Sequence, residues 1–84
     1  MSYSVRIKDS AGKELARLPR DARERLVDAI DSLAETPLAG SALKGQLLGL
    51  RRLRVGNFRI VYEVRENELV VLVIRVAHRR EAYR

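Results

Sequence analysis

The sequence contains no cysteine, no tryptophan and a single histidine. The first absence excludes disulfides and a thiolate metal site. One histidine leaves too few donors for an ordinary zinc site of several nitrogen or sulfur ligands, so neither a metal nor a cofactor is expected. Long apolar runs are missing too: the longest, Leu69 to Ile74, is six residues, against the ~20 that a membrane-spanning helix needs. The N-terminus lacks an apolar signal region and a transit-peptide composition. A cytoplasmic protein without membrane contact is expected. The last shortage is of acid in one half. Residues 43–84 hold four Asp/Glu against ten Lys/Arg, nine of them arginine, whereas residues 1–42 balance at seven and seven. The whole net charge of +6 therefore sits in the C-terminal half, which suits a polyanionic partner or plain solubility.

What is present reads as one small globular domain, residues 1–84. At 46% hydrophobic and 33% charged, the chain is too apolar for a disordered tail. A domain this short buries only about 60% of its unfolded surface, so its stability margin is thin. Tyr3, Val5 and Ile7 alternate with Ser4, Arg6 and Lys8, the pattern of a half-buried strand. Asp9 and Ser10 are candidate caps for a short helix from about Ala11 to Leu18, ended by Pro19. Asp21, with Glu24 three residues on, has capping-box spacing for a second helix. That helix carries an apolar stripe of Ala22, Leu26, Ala29, Ile30 and Leu33, and Thr36-Pro37 stops it. The two helices are expected as a hairpin. Residues 37–49 read as loop. Three strands then follow as a meander: Leu50–Val55, Phe58–Val64 and Leu69–Ala77, the last apolar enough for burial on both faces. The order β-α-α-β-β-β predicts an α+β domain: a small, antiparallel-rich twisted sheet with a helical hairpin packed on one face.

The Gly56-Asn57 dipeptide suits a type II′ turn, which takes glycine first. A two-residue turn there pairs Val55 with Phe58, Arg54 with Arg59 and Leu53 with Ile60. Side chains alternate, so Leu53, Val55, Phe58, Ile60 and Tyr62 share the core face. Arg52, Arg54 and Arg59 share the other, predicted as an exposed cluster. Like charges directly opposite one another destabilise a sheet, and a local rule broken without compensation tends to mark a functional site. Arginine binds two phosphate oxygens at once and stays charged at physiological pH. Such a cluster, with a tyrosine to stack on a base, fits single-stranded RNA better than duplex reading. Of the C-terminal residues, His78 taken alone is a surface residue, and Tyr83 alone could pack on a sheet edge.

Three stretches carry a resemblance: Leu43-Lys44-Gly45, the run Leu53-Arg54-Val55-Gly56-Asn57-Phe58-Arg59-Ile60-Val61-Tyr62, and the ending Val76 to Arg84, which contains His78-Arg79-Arg80-Glu81-Ala82-Tyr83-Arg84. With the element order and the length, they resemble the RelE/ParE superfamily of type II toxins over essentially the whole chain. The ending is similar to that of the RelE branch, with Ala77 where glycine is common. The ParE branch, which poisons DNA gyrase, generally lacks it. RelE-like toxins are endoribonucleases that enter the ribosomal A site and cut mRNA, with the RNA's own 2′-hydroxyl as nucleophile and no metal.

The resemblance implies that Arg52 and Arg54 face the scissile phosphate and that Arg59 stabilises it. It implies further that Arg79 serves the 5′-oxygen leaving group and that Tyr83 stacks on the substrate. Lys44, Arg51, Arg80 and Arg84 are read as further RNA-binding residues. Arginines stand at Arg52 and Arg54, and Leu50 precedes them, where relatives can present lysines. Arginine is a poor general base, which leaves His78 and Glu81 as candidates, or no base at all. The partners implied are a cognate RelB-like antitoxin, the ribosome with its mRNA, and operator DNA reached through the antitoxin. The alternatives are a ParE-like gyrase inhibitor, or a toxin-fold protein that has lost catalysis and serves as an antitoxin partner or co-repressor.

Overall fold

The sheet is organised around its most apolar strand. The computed structural model describes residues 2–47 and 49–78. Its elements are β1 (Ser4–Ile7), α1 (Asp9–Ala16), α2 (Arg20–Ser32), β2 (Ser41–Ala42), β3 (Leu50–Val55), β4 (Phe58–Arg65) and β5 (Val70–His78). The strand order is β1-β5-β4-β3-β2. β5 lies between β4, which it pairs antiparallel, and β1, which it pairs parallel. The fold is therefore α+β with a mixed sheet, and β3-β4-β5 is the expected meander. β2 is an addition to the expected order. Its two residues pair with Arg52 and Arg51 inside the stretch read as loop, and two residues are too few to show an alternation.

Both helices begin differently from the expected caps. Lys8 is the N-cap of α1 and Pro19 that of α2, neither with a side-chain capping bond. The Lys8 carbonyl accepts from Gly12 N–H, and the Pro19 carbonyl from Arg23 N–H. Asp9 and Asp21 lie instead in the first turns, where a carboxylate still favours the positive end of the helix dipole. Glu24 pairs with Arg20 at 3.0 Å rather than closing a capping box.

The core lies between the helices and one face of the sheet. Ala11 and Leu15 of α1 meet Leu26, Ile30 and Leu33 of the second helical segment, over Ile60, Tyr62, Val71, Val73 and Val76. Leu53, Val55, Phe58 and Val64 pack at its margin. A bulge keeps the long strand in phase. Val61 faces Arg75 while Tyr62 faces Val73, so Ile74 is the extra residue, and Val71, Val73 and Val76 all reach the core.

Side chains complete the structure at two places where regular pairing stops. β1 ends opposite Val73 while β5 continues to His78. Beyond that point the Val76 N–H donates to Glu14 Oε1 of α1 at 2.9 Å, and Glu14 Oε2 lies 3.8 Å from Arg75 Nε. Toward the β2 margin of the sheet the buried Tyr62 hydroxyl donates to the Pro37 carbonyl (2.8 Å) and accepts from Gly40 N–H (2.9 Å). A Cβ on Gly40 would stand 2.5 Å from the Arg52 carbonyl oxygen, so only glycine fits against the sheet there.

Candidate functional site

The β3–β4 hairpin has the expected register: Val55 faces Phe58, Arg54 faces Arg59, and Leu53 faces Ile60. Gly56 has φ +60° and Asn57 a negative φ, the signs that a type II′ turn requires. Since Ile60 and Tyr62 are in the core, alternation turns Arg52, Arg54 and Arg59 to the face away from the helices. The register brings the three arginines together as the hairpin pattern predicts.

Their depths differ, and this corrects the picture of an evenly exposed cluster. Arg54 is exposed, Arg52 is half-buried, and Arg59 is only 4% exposed. Arg59 sits between Arg54 on β3 and the equally buried Ala77 on β5. A guanidinium keeps its charge when buried, and its field is less screened there than at the surface. The face therefore presents an accessible cation beside a sunken, fixed one.

Other predicted residues are placed elsewhere. Arg51 lies opposite Tyr62. Its guanidinium donates to the Gly40 carbonyl through Nε (3.1 Å) and Nη2 (2.6 Å), and Nη2 also reaches the Leu38 carbonyl (3.2 Å). It braces the 37–40 loop and does not join the cluster. Lys44 is exposed, next to the short 3-10 turn Gly45–Leu47. His78 faces Phe58 across the sheet and meets its ring edge-on at 5.5 Å between centroids. By alternation it belongs to the face of Phe58, opposite that of Arg59, so the structure does not place it as a base for the arginine cluster. Arg79, Arg80, Glu81, Tyr83 and Arg84 lie outside the described residues.

A cavity of about 460 Å³ is lined by Glu14, Arg17, Leu18, Phe58, Val76, Ala77 and His78. None of the three clustered arginines lines it. Among the described residues the candidate site is therefore the arginine face of the sheet, apart from this cavity. One neighbour of the hairpin was hidden by the mixed charge of its helix: Arg25 of α2, whose Nη2 stands 2.9 Å from where a Cβ on Gly56 would be.

Comparison with known proteins gives this surface a family. The family model of the ParE toxin of the type II toxin–antitoxin system, parDE, matches residues 5–83. Toxin RelG of Mycobacterium tuberculosis is 33% identical, with 100% of this chain and 99% of the relative covered. The toxin–antitoxin complex RelBE2 of M. tuberculosis contains a chain with TM-score 0.87 and 31% identity, covering 94% of this chain and 100% of that one. A mutant of Escherichia coli toxin RelE in the free state has TM-score 0.82 and 26% identity, covering 99% and 90%. The match along nearly the whole length shows that the chain belongs to the RelE/ParE superfamily and is a type II toxin of a toxin–antitoxin system.

Proposed function

We propose that this toxin is a ribosome-dependent mRNA endoribonuclease acting from the arginine face. The observation that carries the reading is the grouping of Arg52, Arg54 and Arg59 on the side of the sheet away from the core. In the reaction the RNA 2′-oxygen attacks the adjacent phosphorus, and the bond to the 5′-oxygen breaks. The products are a 2′,3′-cyclic phosphate and a 5′-hydroxyl. The 2′-hydroxyl proton passes to solvent or to a ribosomal group, and the leaving oxygen takes one up, with Arg79 in the role that the resemblance implies. Arg59 and Arg54 stabilise the extra charge that builds on the phosphoryl oxygens in the transition state. Arginine does not serve as a base, and His78 belongs to the other face. The chain's contribution is therefore electrostatic stabilisation and positioning, with Tyr83 stacking on a base. The ribosome holds the mRNA in line, so free RNA is cleaved weakly.

The cognate partner is an antitoxin resembling RelB, since the similar structure from M. tuberculosis is a RelB–RelE type complex. An acidic segment that folds on the arginine face would block it, and the complex would reach operator DNA through the antitoxin. The setting proposed is the cytoplasm. Among the described residues no helix is long and apolar enough to cross a membrane.

Primer extension on mRNA from translating ribosomes tests the proposal. Wild-type toxin should leave discrete stops within codons. Arg59→Ala should reduce them by about 10²–10³-fold, the usual cost of losing one transition-state donor, and Tyr83→Ala should also weaken them. Cleavage that survives both changes unaltered would sink the site assignment. The ParE family match supports a second reading, gyrase inhibition. Loss of supercoiling in a gyrase assay, with intact mRNA, would favour it.

A further inference from the structure

The arginine face stops, on the register, at the hairpin turn, but the charge does not. Arg54 is the last cation of β3 before Gly56 and lies on the face away from the helices. Arg25 comes from α2, on the helix side, and lays its guanidinium against Gly56, with Nη2, Cζ and Nη1 at 2.9, 3.7 and 3.8 Å from the position of a Cβ there. Gly56 is held at φ +60°, a conformation that also favours a residue without Cβ. The missing Cβ at Gly56 thus lets Arg25 approach the turn from the helix side, while Arg54 lies on the opposite face. Both arginines are exposed. Neither makes a hydrogen bond or an ion pair among the described residues, although Asp21 and Asp28 stand one helical turn to either side of Arg25. Glu24, the nearest acid in sequence, is held by Arg20. Arg25 against Gly56 and Arg54 two residues before it, neither engaged among the described residues, make a path for a phosphodiester backbone over the turn.

We infer that Arg25 binds a phosphate of single-stranded RNA where the strand leaves the arginine face and passes over the Gly56-Asn57 turn. The inference rests on the RNA reading above and adds a residue from the helical layer, which the neutral charge balance of residues 1–42 conceals. Arg25 is a binding residue and stands outside the cleavage chemistry. Its loss should weaken hold on the RNA and leave intact the groups that stabilise the reacting phosphate.

Titrating a fluorescent single-stranded oligoribonucleotide at several salt concentrations tests this, with wild type, Arg54→Gln, Arg25→Gln and Arg25→Lys compared. Each phosphate contact on a single strand contributes about 0.7 to the slope of log K against log salt. Arg25→Gln should weaken binding several-fold at low salt and reduce the slope by about that amount. Arg25→Lys should keep the slope, because it keeps the charge. A purely structural brace would change thermal stability and leave the slope alone, so melting curves are recorded in parallel. If Arg54→Gln lowers the slope while Arg25→Gln leaves both slope and affinity unchanged, the inference is wrong and the RNA reading stands. If the wild-type protein shows no salt-dependent binding, the inference falls, and the RNA reading is judged separately by cleavage on the ribosome. A duplex RNA arm checks the strand class. Equal loss on duplex and single strand in Arg25→Gln would overturn the assignment to a single-stranded path.

Discussion

The two faces of the β3–β4 hairpin share one backbone and one register, yet they are built to opposite rules. The face under the helices alternates Leu53, Val55, Phe58, Ile60 and Tyr62, and each neighbour supports the next by packing. The other face sets Arg54 directly opposite Arg59, a pair whose members repel. Packing explains the first choice. The second lowers stability slightly and gains a field that attracts anions. A domain this small has little stability to spare, so the difference locates where selection has acted on something other than folding.

The largest expected break in that contrast comes from adjacent residues on β4. Ile60→Ala removes a fully buried side chain and should cost about 2–5 kcal/mol. Val61→Ala, on the other face and half-buried, should cost within about 1 kcal/mol. Urea denaturation of the two variants compares the faces directly, and similar losses would contradict the layering. Next is Tyr62→Phe, which keeps the ring and strands the Pro37 carbonyl and the Gly40 N–H. Its cost should be about 1–3 kcal/mol. Because Arg51 braces the same loop through the Gly40 carbonyl, Tyr62→Phe and Arg51→Ala should be non-additive in a double-mutant cycle. The smallest effect is the most diagnostic. Arg54→Ser removes the like-charge pair and should raise stability by a few tenths of a kcal/mol, while cleavage on the ribosome falls. A variant that is both more stable and less toxic would mark Arg54 as kept for function.

Leu69 offers a control away from both faces. It holds φ +54° at the end of the Glu66–Glu68 turn, a conformation that disfavours any residue with a Cβ. Leu69→Gly should change stability by no more than about 1 kcal/mol, with gain from relieved strain offset by lost burial, and should leave RNA cleavage unchanged.

Much of this was legible in the sequence because the hairpin combines two strong signals. Gly56-Asn57 sets the turn, and period-two alternation then assigns every side chain from Leu50 to Tyr62 to a face. Depth was not legible. Alternation says which way Arg59 points and nothing about how far it is sunk, since that depends on neighbours such as Ala77 from a distant stretch of chain. The helix starts were misplaced because side-chain preference at a cap competes with backbone constraint: Pro19 presets φ and takes the N-cap position of α2, leaving Asp21 inside. The bulge at Ile74 lies at the end of a uniformly apolar run, where no polar residue marks a change of phase. Alternation also puts Arg51 on the face of Tyr62, away from Arg52 and Arg54, but its bonds to the Gly40 and Leu38 carbonyls depend on a loop whose course the sequence does not specify.

The bond from Glu14 to Val76 has a consequence for how the protein behaves in a crowd. A sheet margin with unpaired N–H groups is a template onto which another chain can add a strand, and long exposed margins promote aggregation. Beyond the end of β1 the outer side of β5 would be such a template, in the most apolar strand of the molecule. Glu14 fills the hydrogen-bonding place that the next residue of a neighbouring strand would take, and it does so with a carboxylate. Self-association through that margin would have to expel a charged group from its site first.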